Sequence, residues 1–281
     1  MITTCIIHLK ILVINFFFIR NNNCNTDIIK IIRIMENKLT KKNNKRIDNR
    51  DSTELRKVKI TPHFLPDSEG SALIEVGNTK VICSATIEKK VPRWLKGKGT
   101  GWVTAEYSML PRSSKDRIQR ERFKVSGRTQ EIQRLIGRSL RSIINLEMLG
   151  EVSIIIDCDV IRADGGTRTA SITGAFTALS LAIMRGIDEN LFTTNPIKNF
   201  VSAVSVGIVD KKILLDLNYD EDSRAEVDMN IVMNDKFEFV EIQGTAEKSS
   251  FNYDEFSEMI TMAKKGINEL FKLQKQAISD N

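Results

Sequence analysis

Gly165-Gly166-Thr167-Arg168-Thr169 packs two glycines, two threonine hydroxyls and a guanidinium into five residues. Paired glycines let the backbone turn its N–H groups toward an anion, and Thr167 and Arg168 add a hydroxyl and a bidentate donor. The segment that follows has a helical pattern, so the loop lies at a helix N-terminus and its partial positive charge, as an oxyanion cradle does. It is neither GxGxxG nor GxxxxGK[ST]. Read alone, a structural turn with a capping threonine is the alternative. Ser126-Gly127-Arg128 places a second arginine at the start of another predicted helix, where the dipole disfavours a cation. An anion shared by Arg128 and Arg168 would offset that mismatch.

Asp220-Glu221-Asp222 is followed by Asp228. Val227, Met229 and Ile231 form the apolar face of a predicted strand, so Asp228 faces away from them beside Glu226 and Asn230. Two such carboxylates repel unless a divalent cation or a shared proton joins them, so Asp222 and Asp228 could hold Mg²⁺ or supply an acid. An acidic solvated hairpin is the alternative. Finally, Arg112 to Arg128 carries seven Lys or Arg against two Asp or Glu, with only Ile118, Phe123 and Val125 for burial. A loop of that composition attracts a phosphodiester backbone with little regard to sequence. A polyanion arm, an anion cradle, a second arginine and a carboxylate pair, with no nucleophilic triad, suit chemistry on a phosphodiester by a bound oxyanion. The protein would position the reactants and neutralise charge.

These residues need elements to hold them. Val58–Thr61, Ser71–Val76 and Lys80–Ile87 read as strands, the last two a hairpin with Gly77 and Asn78 as left-handed turn residues. Lys96–Gly101 reads as a basic loop and Trp102–Tyr107 as a strand. Helical spacing of Ile132, Leu135, Ile136, Leu140, Ile143 and Ile144 predicts a helix over Thr129–Leu146. Val152–Ile161 reads as a strand with Asp157 and Asp159 opposite Ile154, Ile156 and Cys158, and Ala170–Arg185 as a buried helix. Val201–Val209, Ile213–Tyr219, Glu226–Met233 and Phe237–Gln243 read as four strands, and Asp254–Ala277 as a closing helix. The expected fold is one α/β domain with a mixed sheet, from about residue 50 to the C-terminus.

Several blocks carry a resemblance. KGKGTGWVTAEYSMLPR (Lys96–Arg112), GRTQEIQR (Gly127–Arg134), DCDVIRADGGTRTASITG (Asp157–Gly174), AVSVGIV (Ala203–Val209), EDSRAEVDMN (Glu221–Asn230) and QGTAE (Gln243–Glu247) strongly resemble ribonuclease PH, over about Arg46 to Ala277. The resemblance implies a phosphate-dependent 3′–5′ exoribonuclease that trims tRNA precursors and other RNA 3′ ends. Its products would be nucleoside diphosphates, and the reverse reaction would transfer nucleotides to RNA. It implies inorganic phosphate as co-substrate, bound by Arg128, Gly166, Thr167 and Arg168. Asp222 and Asp228 would be the pair associated with catalysis and Mg²⁺, and Arg112, Arg117, Arg120 and Arg122 the tRNA-gripping arginines. The implied fold is the ribosomal-protein-like α/β domain, assembled as a homohexameric ring from three dimers. Two alternatives are a catalytically silent RNA-binding ring subunit of exosome type and a metal-dependent hydrolytic nuclease. Ser126 departs from the family, which has glycine before the Gly-Arg pair.

The remaining composition narrows the rest. The chain has 281 residues, 41% apolar and 28% charged, with formal net charge +6. That excludes a disordered chain and a small disulfide scaffold, and the excess of positive charge sits mainly at the N-terminus and in the 112–128 stretch. His8 and His63, the only histidines, leave little for a His triad or a multi-histidine zinc site. Cys5, Cys24, Cys83 and Cys158 have no CxxC spacing and read as reduced residues of a cytoplasmic protein. The apolar run Ile11–Ile19 is too short for a membrane span, so no membrane partner is expected. Residues 1–34 read as an atypical N-terminal extension upstream of a working start at Met35, and 35–49 as a basic arm.

Overall fold

The computed structural model describes residues 46–121 and 124–279. The expectations for residues 1–34 and for most of the basic arm lie outside them. The chain divides into two compact units, Met1–Asp51 and Ser52–Asn281. In the first, residues 46–51 make a turn, with the Asn49 N–H bonded to the Arg46 carbonyl at 2.9 Å and Arg50 Nε to Asp48 Oδ2 at 2.6 Å.

The second unit holds two sheets. In the first, β1 (Val58–Pro62), β2 (Gly70–Val76), β3 (Thr79–Glu88), β4 (Trp102–Met109) and β5 (Ser153–Arg162) pair in the order β1-β2-β3-β5-β4. Every pair is antiparallel except β4 with β5. Parallel neighbours need a long crossover, and α1 (Gly127–Ser142) lies within it. In the second sheet β6 (Val201–Val209), β7 (Lys212–Leu215), β8 (Val227–Asn234) and β9 (Phe239–Ala246) pair in the order β7-β6-β8-β9, all antiparallel.

The expected α/β class with a mixed sheet is present, but the nine strands of the described residues divide between two sheets. Helix α2 (Thr167–Asp188) is the reason. It is apolar almost all round, so one sheet cannot cover it. It packs against β2 and β3 of the first sheet and β6 of the second. All nine residues of β6 are buried. Its Val201 and Ala203 join the core around α2, while Val204, Val206 and Ile208 join the core beneath α4 (Tyr253–Ser279). A strand covered on both faces carries small and apolar residues throughout, and the two serines of VSAVSVGIV are hydrogen-bonded, Ser202 to the Thr173 hydroxyl at 3.0 Å and Ser205 to the Leu217 N–H at 3.1 Å. By length and composition α2 could cross a membrane, but 83% of its apolar window is buried inside the protein.

Three local expectations change. The first long helix ends at Ser142, four residues short of Leu146. Ile144 instead bridges to Ile197 and the Asn145 N–H bonds the Pro196 carbonyl at 2.8 Å, which draws the backbone out of the helix. The strand expected over Ile213–Tyr219 stops at Leu215, because Asp216 takes a left-handed φ of 54°. In the β2–β3 hairpin only Gly77 is left-handed, at φ 57°, and Asn78 is not, the pattern of a II′ turn.

Candidate active site

The turn between β5 and α2 carries the cradle residues. Gly165 and Gly166 have φ of 75° and 65°. Gly166 is the N-cap of α2 and has no side chain to cap it, so the helix begins bare, as an anion site requires. A Cβ on Gly165 would stand 2.5 Å from the Leu217 carbonyl oxygen and 2.9 Å from the Tyr219 nitrogen. Only glycine permits the turn to lie so close to that backbone.

A buried ion pair underpins the turn. Arg56 Nε and Nη2 donate to the two carboxylate oxygens of Asp216, at 2.9 and 2.6 Å. Nη1 of the same guanidinium donates to the Asp164 carbonyl at 2.5 Å. Burial disfavours the charge on Arg56, but Asp216 outweighs that effect and its pKa is raised. The Thr79 hydroxyl donates to the Gly165 carbonyl at 2.7 Å and accepts from the Asp164 N–H at 2.9 Å. Neither Arg56 nor Asp216 stood out in the sequence, because a single Arg and a single Asp 160 residues apart carry no local signal.

The two candidate anion ligands from different helices meet. Arg128 and Arg168 both line a cleft of about 770 Å³ with Gly165, Gly166, Thr167, Asp222 and Asp228. Arg128 sits in the first turn of α1, capped by the Ser126 hydroxyl, which accepts from the Thr129 N–H at 3.2 Å. The serine that departs from the family pattern is thus a helix cap. Arg168 Nη1 donates to Gln243 Oε1 at 3.1 Å and stands 3.6 Å from Glu131 Oε1. Gln243 Nε2 donates in turn to Glu241 Oε1 at 3.1 Å, which sets the amide so that its oxygen faces the arginine. The Thr167 hydroxyl accepts from the buried Tyr107 hydroxyl at 3.0 Å. Burial raises the Tyr107 pKa, against the pull of the Thr167 hydrogen bond and of Arg128 and Arg168, so the phenol keeps its proton. Gln243 and Tyr107 lay inside the quoted blocks, without a role that spacing could show.

Asp222 and Asp228 line the same cleft as the arginines and lie close enough to feel each other's charge and that of Arg168. Asp222 ends the one-turn helix α3 (Tyr219–Asp222), which Asn218 and Glu221 close at its start in a capping box. Asp228 lies on β8, its Cα paired with those of Gly207 and Thr245. Burial, then the charge on Asp222, push the Asp228 pKa up to about 6, against the opposing pull of Arg168. Burial also raises Asp222, against Arg128 and Arg168. Their oxygen donors suit a hard divalent cation. Among the described residues no group of three His, Cys, Asp or Glu side chains could hold a metal ion.

The basic stretch supplies a wall of the cleft. Ser114, Ile118, Gln119, Arg120, Glu121 and Val125 line it. Arg112 and Arg117 are exposed and are not among the residues lining the cleft. Arg122 lies outside the described residues.

Residues 54–184 match the 3′ exoribonuclease family, domain 1, and residues 199–266 match domain 2 of that family. Ribonuclease PH of Neisseria meningitidis serogroup C is 56% identical over 232 residues, covering 82% of this chain and 96% of that protein. The chain belongs to the ribonuclease PH family. Ribonuclease PH of Bacillus cereus is 53% identical over 238 residues, covering 84% of this chain and 97% of the relative. Membership of the ribonuclease PH family makes the chain a phosphorolytic 3′–5′ exoribonuclease of tRNA processing and, in reverse, a nucleotidyltransferase. Inorganic phosphate is its co-substrate. Among solved structures, an Archaeoglobus fulgidus exosome with RNA bound to the active site aligns with TM-score 0.71 and 22% identity, over 83% of this chain and 94% of that one. Rice Rrp46 aligns with TM-score 0.68 and 16% identity, over 83% of this chain and all of that one. At such identities the likeness is one of fold.

Proposed function

We propose that Arg128, Gly166, Thr167 and Arg168 bind inorganic phosphate in line with the last linkage of an RNA 3′ end, tRNA precursors being the principal substrate. A phosphate oxygen attacks the terminal phosphorus and the bond from that phosphorus to the 3′ oxygen of the preceding nucleotide breaks. A nucleoside diphosphate leaves, and the shortened RNA keeps its 3′ hydroxyl. The two guanidiniums hold the phosphate by charge-assisted hydrogen bonds and offset its repulsion from the RNA. Tyr107 fixes the Thr167 hydroxyl, and Gln243 with Glu131 fixes Arg168, so these donors are oriented before substrate arrives.

Asp222 and Asp228 are the residues that would hold Mg²⁺. When bound, the ion supplies charge stabilisation at the leaving 3′ oxygen. Arg112, Arg117, Arg120 and Arg122 grip the tRNA body by its phosphates. Residues 50–281 form the ribonuclease PH domain, which functions in the cytoplasm as a homohexamer, a trimer of dimers. Cys83 and Cys158, Cα partners across β3 and β5 and both free, suit a reducing compartment. Trp94, Phe239 and Tyr253, at least half exposed, are residues of the kind that subunit interfaces bury.

The observation that supports the site most directly is the shared cleft of Arg128 and Arg168, facing Asp222 and Asp228. The test is incubation of a 3′-extended tRNA with and without phosphate. Nucleoside diphosphates formed only with phosphate are expected. Monophosphates would mean hydrolysis, and no product would mean a silent subunit.

A further inference from the structure

We propose that the ring of Tyr219 is the platform on which the nucleobase at the RNA 3′ end stacks, and on which the base of the nucleoside diphosphate stacks in the reverse reaction. The proposal rests on the phosphorolytic reading and adds the subsite for the base of the terminal nucleotide, which the arginines and carboxylates leave unheld.

Of the aromatic side chains among the described residues, Tyr107 and Tyr219 line the cleft. Tyr107 is 4% exposed and its hydroxyl is committed to Thr167. Tyr219 is 55% exposed, so its ring is open to a ligand. It begins α3 three residues before Asp222, and side chains at i and i+3 share a helix face. Ring and carboxylate are therefore neighbours on one wall.

The backbone of Tyr219 is tied to the cradle. Its N–H donates to Asp164 Oδ1 at 3.3 Å, and the missing Cβ of Gly165 is what lets the turn pack against it. The α3 capping box, with Glu221 buried, keeps this short helix from shifting. A ring so anchored lines the same cleft as Gly166, Thr167 and Arg168. There the base must lie when its 5′ phosphate faces the attacking anion.

The chemistry also fits an enzyme that removes successive nucleotides. Hydrogen-bond readout would favour one base and stall at the others. Every base has a π face, so an aromatic platform is tolerant of sequence.

The experiment uses the full-length protein and the variants Tyr219→Ala and Tyr219→Phe. KM for ADP and for UDP is measured in the polymerising direction, and KM for phosphate in the degrading direction. In phosphate-free buffer, where bound RNA is not degraded, the fluorescence of an oligonucleotide ending in 2-aminopurine reports stacking. Expected for Tyr219→Ala is a rise of about tenfold or more in KM for both diphosphates, with the terminal fluorescence no longer quenched. Its phosphate KM should stay within about twofold, and Tyr219→Phe should match the wild type in every readout, because stacking needs no hydroxyl. An alanine variant with wild-type KM and quenching overturns the proposal. So does a phenylalanine variant as impaired as alanine, an effect on one diphosphate alone, or an alanine variant of altered oligomeric mass. Wild-type turnover that needed no phosphate would sink the underlying reading; phosphate-dependent wild-type turnover with an unimpaired alanine variant sinks only the platform.

Discussion

Arg56 and Asp216, 160 residues apart, form a buried bidentate ion pair, and the same guanidinium holds the Asp164 carbonyl at the root of the cradle. The pair links the start of β1 to the break after β7, and makes the glycine turn before α2 depend on both sheets. Asp216 keeps a left-handed backbone, a strained state for a residue with a side chain.

Removing the Arg56 guanidinium takes the bidentate cation away from the buried Asp216 carboxylate. Arg56→Met should therefore destabilise by about 3–5 kcal/mol, read as a lower urea midpoint. If enough protein folds, KM for phosphate should rise more than KM for RNA, because the loop and not the RNA wall loses its support. A midpoint within error of the wild type would remove the structural role assigned to the pair.

Arg128→Ala and Arg168→Ala should each abolish phosphorolysis while RNA binding persists. A single charge-assisted contact in a catalytic site is worth about 10²–10³ in kcat, so residual rates of 1% or less are expected. Unimpaired turnover in both variants would falsify the phosphate assignment.

Gly165→Ala should behave as a local lesion. Its φ of 75° and the 2.5 Å approach to the Leu217 carbonyl leave no space for a methyl group. The expected result is loss of activity with a far-UV spectrum like that of the wild type. A fully active alanine variant would show that the turn can open without consequence.

The pKa of Asp228, about 6 against an ordinary 3.8, predicts a stability effect of definite sign. Below the ordinary value the group is protonated in both folded and unfolded chains and contributes nothing. Between the two values the folded state binds the extra proton, so stability falls as pH rises through that window, and the full cost remains above it. Asp228→Asn should thus be no more stable than wild type near pH 4. It should become more stable by roughly 2–3 kcal/mol well above pH 6 in metal-free, phosphate-free buffer, while losing catalysis. Urea titrations at the two pH values decide it; an equal offset at both would contradict the burial argument.

The arginine stretch predicts a salt effect. Arg112→Ala combined with Arg117→Ala, the two exposed arginines outside the cleft, should weaken tRNA binding and flatten the slope of log K against log salt by about one to two units. Short oligonucleotides that end in the cleft should lose less. Equal losses for both substrates would place these arginines at the RNA terminus.

Where a signal was local, the residues carried it. The helical period of Ile132, Leu135, Ile136 and Leu140 located α1, and the β-branched, serine-interrupted run at 201–209 located β6, since period and run length reflect one element's exposure. The glycine turn at the start of α2 was legible for the same reason: its residues are consecutive. Other features were not legible. The strand expected through Asp216 ends there because a partner from β1's N-terminal side captures its carboxylate, and no propensity foretells a contact that distant. The single sheet became two because α2 needs covering by both, a matter of packing between elements and not of pattern within one.

The amino-acid order alone determined the family, the elements and the chemical types present: two arginines at helix starts, a glycine turn and two acidic residues six positions apart. These are properties of neighbours along the chain. Only the tertiary structure decided that Arg128 and Arg168 share one cleft, that Asp228 is buried enough to hold its proton to about pH 6, and that Arg56 supports the turn. Convergence of helix ends, loss of solvent and long-range ion pairing exist only once the two sheets close on α2, because charge effects depend on distance and burial in space.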